Sequence, residues 1–142
     1  MPTIRPLVDV EALLVAWLSA DAAVLALLAA PTDVSPELPA GFPSAGAAFV
    51  QTFRASATTV DTGTGHLERA VVQVNVYGSS REEAWDLAAQ TYRAVLEAPG
   101  GDHAGAVVTN AVRITGPSWS PDPVTDAPRY ALSFALTVHP RP

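Results

Sequence analysis

The sequence predicts an α/β (α+β) single domain. Helices pack on one face of a mixed, mostly antiparallel sheet of four to five strands containing one βαβ crossover. Three observations predict this. Residues 67–78 alternate, placing Val72, Val74 and Val76 on one face and Gln73, Asn75 and Tyr77 on the other, the period of two that marks a strand. Just beyond Gly78, Ser79 and Ser80 precede Glu82 and Glu83, a helix-start pattern. Ala84, Trp85, Ala88, Tyr92, Val95 and Leu96 then recur at helical spacing and read as a core-facing stripe. Residues 129–138 alternate most cleanly, with Tyr130, Leu132, Phe134, Leu136 and Val138 inward against Ala131, Ser133, Ala135 and Thr137. A strand that feeds an amphipathic helix needs a strand to return to, so residues 67–115 read as a right-handed strand–helix–strand crossover.

Length and composition set the outer limits. At 142 residues the chain suits one domain able to bury a real core. That domain covers 1–142, with N-terminal helices at 7–29 and the sheet with its main helix at 49–139. With 49% hydrophobic and 15% charged residues the composition is globular. Cysteine is absent, which excludes disulfides and thiolate metal sites. All eight basic residues are arginine and the net charge is −6. Such a balance argues against a surface built to grip phosphate backbones, yet allows one that DNA passes without sticking. Asp9, Glu11 and Asp21 interrupt the apolar run at 7–30, and no basic segment precedes it beyond Arg5. Neither a signal peptide nor a membrane span is expected, and the chain reads as a soluble intracellular protein with no membrane partner.

Taken in order, residues 7–18 carry Leu7, Val10, Leu14, Trp17 and Leu18 near one helical face, with Asp9 and Glu11 suited to the start of the helix dipole. Ser19 and Asp21 can cap a second helix, Ala22–Leu28, which Pro31 ends. Residues 31–48 are rich in Pro, Gly, Ser and Ala; Pro36 confines residues 34–38 to a short edge strand. Residues 49–57 alternate as a strand, and Thr58–His66 reads as a polar glycine-containing loop making a loose antiparallel hairpin with the next strand. Pro99, Gly100 and Gly101 stop the main helix. Residues 106–115 return as a strand with Val108, Val112 and Ile114 on one face. Gly116–Pro128 reads as a proline-rich connection holding Trp119.

No pattern of chemistry stands out. Ser79 and Ser80 at a helix start invite a phosphate site, but no lysine completes one and Glu82 and Glu83 repel anions, so capping is the better reading. His66, His103 and His139 form no HxxxH or HxH pair and read as solvated, so no metal is expected. No GxSxG motif occurs, and Glu82 and Glu83 are adjacent on a helix and diverge. An enzyme is not expected, nor any catalytic residue or cofactor. Trp119 either folds over the sheet edge or anchors a subunit interface, where Trp is enriched.

Element order and several stretches together resemble a known family. The start PLVDVEALLVAWLSAD, the junction V-x-V-x-V-Y-G-x-S-x-x-E-A-W at 72–85 and the run G-P-x-W-x-P-D-P-x-x-x-x-P-R-Y at 116–130 resemble tail terminator proteins of long-tailed, siphovirus-type bacteriophages of actinobacteria, similar to the lambda-type terminator. The resemblance spans nearly the whole chain and implies a structural protein. It implies a homo-oligomeric, hexameric ring that caps the finished tail tube and stops its polymerisation. The ring supplies the head–tail joining surface, with tail tube protein and a head-closure neck protein as partners. DNA passes its lumen without specific binding, and the protein sits at the tail–neck junction of the virion after assembly in the host cytoplasm. Within that frame, the lengths and positions of the two connections point to Thr58, Asp61, Thr64 and His66, and to Trp119, Asp122 and Arg129, as ring or tube contacts. Two other readings stay open: another neck or head-closure connector, and a small-molecule-binding βαβ regulatory domain. The latter would need a polar pocket between helix and sheet.

Overall fold

The computed structural model describes residues 8–39, 48–62 and 65–141, and over 57–62 and 65–66 the backbone alone. In chain order the elements are α1 (Val10–Ser19), α2 (Ala22–Leu25), a 3-10 turn (Pro31–Asp33), β1 (Val34–Ser35), β2 (Phe49–Thr62), β3 (Gly65–Tyr77), α3 (Arg81–Leu96), β4 (Ala106–Trp119) and β5 (Arg129–Pro140). The five strands form one sheet in the order β1-β2-β3-β5-β4. Short β1 runs parallel to β2 at the edge and ends at Ser35, just before Pro36 and short of the expected residues 34–38, and the other three junctions are antiparallel. The α+β fold class with a mixed, mostly antiparallel sheet is thereby borne out. Both β3 and β4 run antiparallel to β5. They therefore run parallel to each other, and α3 makes its crossover with β5 seated between the two strands it joins.

One face of the sheet and the buried sides of the helices share the core. Val72, Val74 and Val76 of β3 lie beside Phe134, Leu132 and Tyr130 of β5 in register, and all six belong to the same buried cluster as Val10, Leu14 and Leu18 of α1 and Leu87 and Val95 of α3. Each large aliphatic or aromatic side chain so enclosed contributes about 1.5–3 kcal/mol through loss of apolar contact with water. The two-residue period of β3 and β5 sends these residues to one side and the amide and hydroxyl residues to the other.

Capping groups set the helix starts. The Asp9 carboxylate accepts from the Ala12 amide at 3.0 Å, so α1 begins at Val10; the expected start at Leu7 lies outside the described residues. Asp21 accepts from the Ala23 and Val24 amides and also from Arg93 at 2.7 Å, tying α2 to α3. That hydrogen bond is the leading cause that raises the Arg93 pKa above its ordinary value. Beyond one turn, α2 gives way at Ala26, short of the expected Leu28, with Leu27 and Leu28 in turns. Ser80 caps α3 by accepting from the Glu83 amide at 3.1 Å, while the Glu83 carboxylate takes the Ser79 hydroxyl. The expected cap is in place. The expected core stripe needs one correction: Ala84, Leu87, Ala88, Thr91, Ala94 and Val95 are buried, but Trp85 faces outward.

Three further expectations change. Of the expected loop Thr58–His66, residues 58–62 and 65–66 are strand: β2 and β3 stay paired through Asp61↔His66 and Thr62↔Gly65, because Thr and Val there favour extended backbone despite the polar composition. Gly116–Trp119 belongs to β4, shortening the proline-rich connection to residues 120–128. Val108, Val112 and Ile114 do not share a face, since β4 shifts register between Val108 and Asn110 and again between Arg113 and Thr115. Each bulge inserts an unpaired residue and reverses the alternation after it. Val108 is buried while Val112 and Ile114 are exposed.

Candidate interface surface

Among the described residues the exposed large apolar side chains, Leu67 of β3 excepted, lie on or beside one edge of the sheet. β4 is, among the described residues, an edge strand paired only to β5, and Val112, Ile114 and Trp119 on it are exposed. Trp119 and Trp85, 38% and 47% exposed, both meet Tyr130 edge-on, with ring centroids 5.3 and 5.4 Å away. Arg81, from the first turn of α3, lies over the Trp119 ring at 4.5 Å, and its Nε donates to the Tyr130 hydroxyl at 3.2 Å. The result is an aromatic ledge braced by a guanidinium, with a cation–π contact worth about 0.5–1 kcal/mol at such exposure.

The loop at 120–128 is braced from within. Asp122 Oδ1 accepts from the Val124 and Thr125 amides at 2.9 and 3.0 Å and from the Thr125 hydroxyl. Asp126 occupies the left-handed region at φ 59° and donates its amide to the Asp122 carbonyl at 2.8 Å, a conformation aspartate tolerates better than most residues. Arg129 closes the base, its Nε donating to the Ser120 carbonyl at 2.7 Å and its Nη1 lying 4.0 Å from Asp122. Val124, 90% exposed, stands at the tip. Amide donation from Thr125 and Val124, with smaller help from Arg129, lowers the Asp122 pKa below 3.8. A lowered carboxylate pKa adds stability that is complete above the unfolded value and is lost as pH falls through the folded one. Exchange of the Val124 and Thr125 amides is therefore expected to be protected above the ordinary carboxylate range and to lose that protection progressively as acid takes the pH below it. Protection of both amides that is unchanged by Asp122→Ala at neutral pH would sink this account.

Structure thus brings Trp119, Asp122 and Arg129 together. Asp122 and Arg129 are spent on holding the loop, which leaves Trp119 as the outward-facing member of the three. Thr58 and Asp61 lie in β2 and His66 in β3, with backbone pairs Thr58↔Arg69 and Asp61↔His66; their side chains and Thr64 lie outside the described residues. Tyr77, at the far end of β3 from His66, pairs with Arg129. The backbone of His66 therefore stands about 35 Å along β3 from that of Tyr77 at roughly 3.3 Å per residue, at the opposite end of the strand from Trp119, Asp122 and Arg129. Sequence reasoning missed Trp85 and Arg81, although their i, i+4 spacing on one helix face was the available signal.

Among the described residues no three His, Asp or Glu side chains gather as a metal site, and no described helix is long and apolar enough to cross a membrane. A groove of about 450 Å³ opens between α1 and residues 102–106, lined by Leu13, Ala16, Trp17 and His103. His103 is buried, against the expectation of a solvated ring: its Nε2 lies 2.8 Å from the Ala98 carbonyl and its ring 4.9 Å from Trp17. Trp17 Nε1 in turn donates to the Ala94 carbonyl at 2.7 Å, so these rings lock α1 onto the end of α3.

Compared with known proteins, residues 12–139 match the model of the family described as Tail completion protein gp17. The fold is similar to that of a chain in a solved structure described as the virion of a native gene transfer agent (GTA) particle. The TM-score is 0.67 at 22% identity, covering 91% of this chain and 93% of that one. No curated protein matches.

Proposed function

Since the chain belongs to the tail completion protein gp17 family, a structural family of bacteriophage tails, we propose that it ends the tail as a terminator ring. In this reading six copies close on the last layer of tail tube protein, stop its polymerisation and present the surface that a head-closure neck protein docks on. The ring forms in the host cytoplasm and stays at the tail–neck junction of the virion. The family match over residues 12–139 carries the reading. A net charge of −6 is compatible with a lumen through which DNA slides without being held. The exposed Trp119 ledge at one end of the sheet and the β2–β3 hairpin at the other offer two separate contact surfaces, as a subunit that meets several neighbours requires. Contacts through Thr58, Asp61, Thr64, His66, Trp119, Asp122 and Arg129 belong to this proposal.

The test is a capping assay. Purified protein added to polymerising tube protein is expected to halt elongation and to appear as a ring at one tube end by negative stain. Tubes that keep growing at saturating protein would reject the terminator role and favour another position in the neck.

A further inference from the structure

The sheet ends in two open edges. At one, β4 is paired among the described residues only on its β5 side. At the other, β1 covers β2 only at Val50 and Gln51, and the Glu11 carboxylate takes the Arg54 amide at 2.9 Å. From Ala55 to Thr62 no described residue pairs with the outer side of β2. Long unpaired edges are templates for strand addition, and chains that must stay monomeric usually blunt them with charge or short length. Here β4 runs for 14 residues with one charged side chain, Arg113. Exposed large apolar residues cluster on or beside it: Val112, Ile114, Trp119, Val124 and Trp85.

We infer that β4 of one copy pairs with the 55–62 stretch of β2 in the next copy, continuing the sheet from subunit to subunit. The occupant of the edge is thus a second copy of this chain, and the inference rests on the ring reading above. Three observations select it. Strand directions alternate from β2 through β3 and β5 to β4, so β2 and β4 point oppositely. A copy rotated about an axis along the strands therefore presents β2 antiparallel to its neighbour's β4, the pairing the sheet already uses. Charge also matches, because β4 has Arg113 and no carboxylate, while 55–62 has Asp61 and no cation. Finally, Pro117 has no amide to donate, which confines pairing to the part of β4 before it, residues 106–116, long enough to span the open stretch of β2. Two different edges meeting make a heterologous contact, the kind that closes into rings.

The chain has no cysteine, so single cysteines report cleanly. Ala55→Cys and Ile114→Cys, both at exposed positions, are mixed, assembled and treated with a short bismaleimide. A link between A55C and I114C, absent from I114C alone, is the expected result. A link between two I114C copies would instead show β4 pairing with itself and overturn the inference. Rings that form without an A55C–I114C link overturn this contact and leave the ring reading standing. A chain that neither forms rings nor caps tubes removes both. Hydrogen exchange on the unmodified protein reads the same contact without substitutions. Amides of 106–115 and 55–62 are expected to slow by about tenfold or more on assembly, and unchanged rates in a formed ring overturn the inference.

Discussion

Arg54→Ala is expected to destabilise the fold by about 3–5 kcal/mol, the cost of leaving a buried charge without its partner. Glu68 of β3 is 2% exposed and pairs with the Arg54 guanidinium, whose own side chain is one-third exposed. Arg54 also stands where β2 shifts register, its amide held by Glu11 of α1. Removing the guanidinium thus strips the charge partner from a strand in the middle of the sheet. Thermal unfolding should fall by roughly 10 °C or more in a chain of this size. Arg54→Leu with Glu68→Leu should recover most of the loss, because replacing a buried ion pair by apolar groups is often neutral. A single variant within about 1 kcal/mol of the parent would mean that water already reaches Glu68.

Gly116→Ala should be nearly as costly, by about 2–5 kcal/mol, for two reasons that add. Gly116 sits at φ +84°, which strains any residue with a β-carbon. A β-carbon there would also lie 2.2 Å from the Ala131 carbonyl oxygen and 3.0 Å from Leu132 Cα, on the neighbouring strand. Since the obstacle is backbone, relief means moving β4 away from β5, which carries Trp119 off Tyr130. Gly105 makes the control: its φ is +71°, but nothing lies within 4 Å of the added carbon. Gly105→Ala should therefore lose only the conformational part, about 1–2 kcal/mol. Denaturant midpoints of the two variants decide the matter, and equal losses would show that the close approach to β5 does not matter.

The sequence made the strand–helix junction legible because each cue there is local. Valines alternate into β3, Ser80 caps α3, and Pro99 lies just past its end. Local cues failed where pairing decides the outcome. Thr58–His66 has a loop's composition, yet residues 58–62 and 65–66 are extended because β2 and β3 stay paired out to Thr62↔Gly65. A single inserted residue at Thr109 is invisible in a pattern of apolar positions, but it sends Val112 to the opposite face from Val108. The seat of β5 between β3 and β4 is a long-range choice that no window of sequence contains. For the surface, Trp119 was found because it broke the periodicity of its surroundings. Trp85 was missed for the opposite reason, since a tryptophan in phase with a helix stripe reads as core. Asp122 and Arg129 were singled out by place in the chain, and the structure spends both on bracing their own loop.

The central position of β5 bears on how the chain is made. On the ribosome β3, α3 and β4 emerge before residues 129–140, and until then β4 has no neighbour to bond and β3 lacks one side. Helix α3 likewise waits for Leu132, Phe134 and Leu136, the floor it rests on. The sheet therefore cannot form by accretion from the first strand onward; it closes in one late step when β5 slides between two waiting strands. A nascent chain halted before residue 129 would expose two unpaired edges and an uncovered helix, a state prone to sticking to its like.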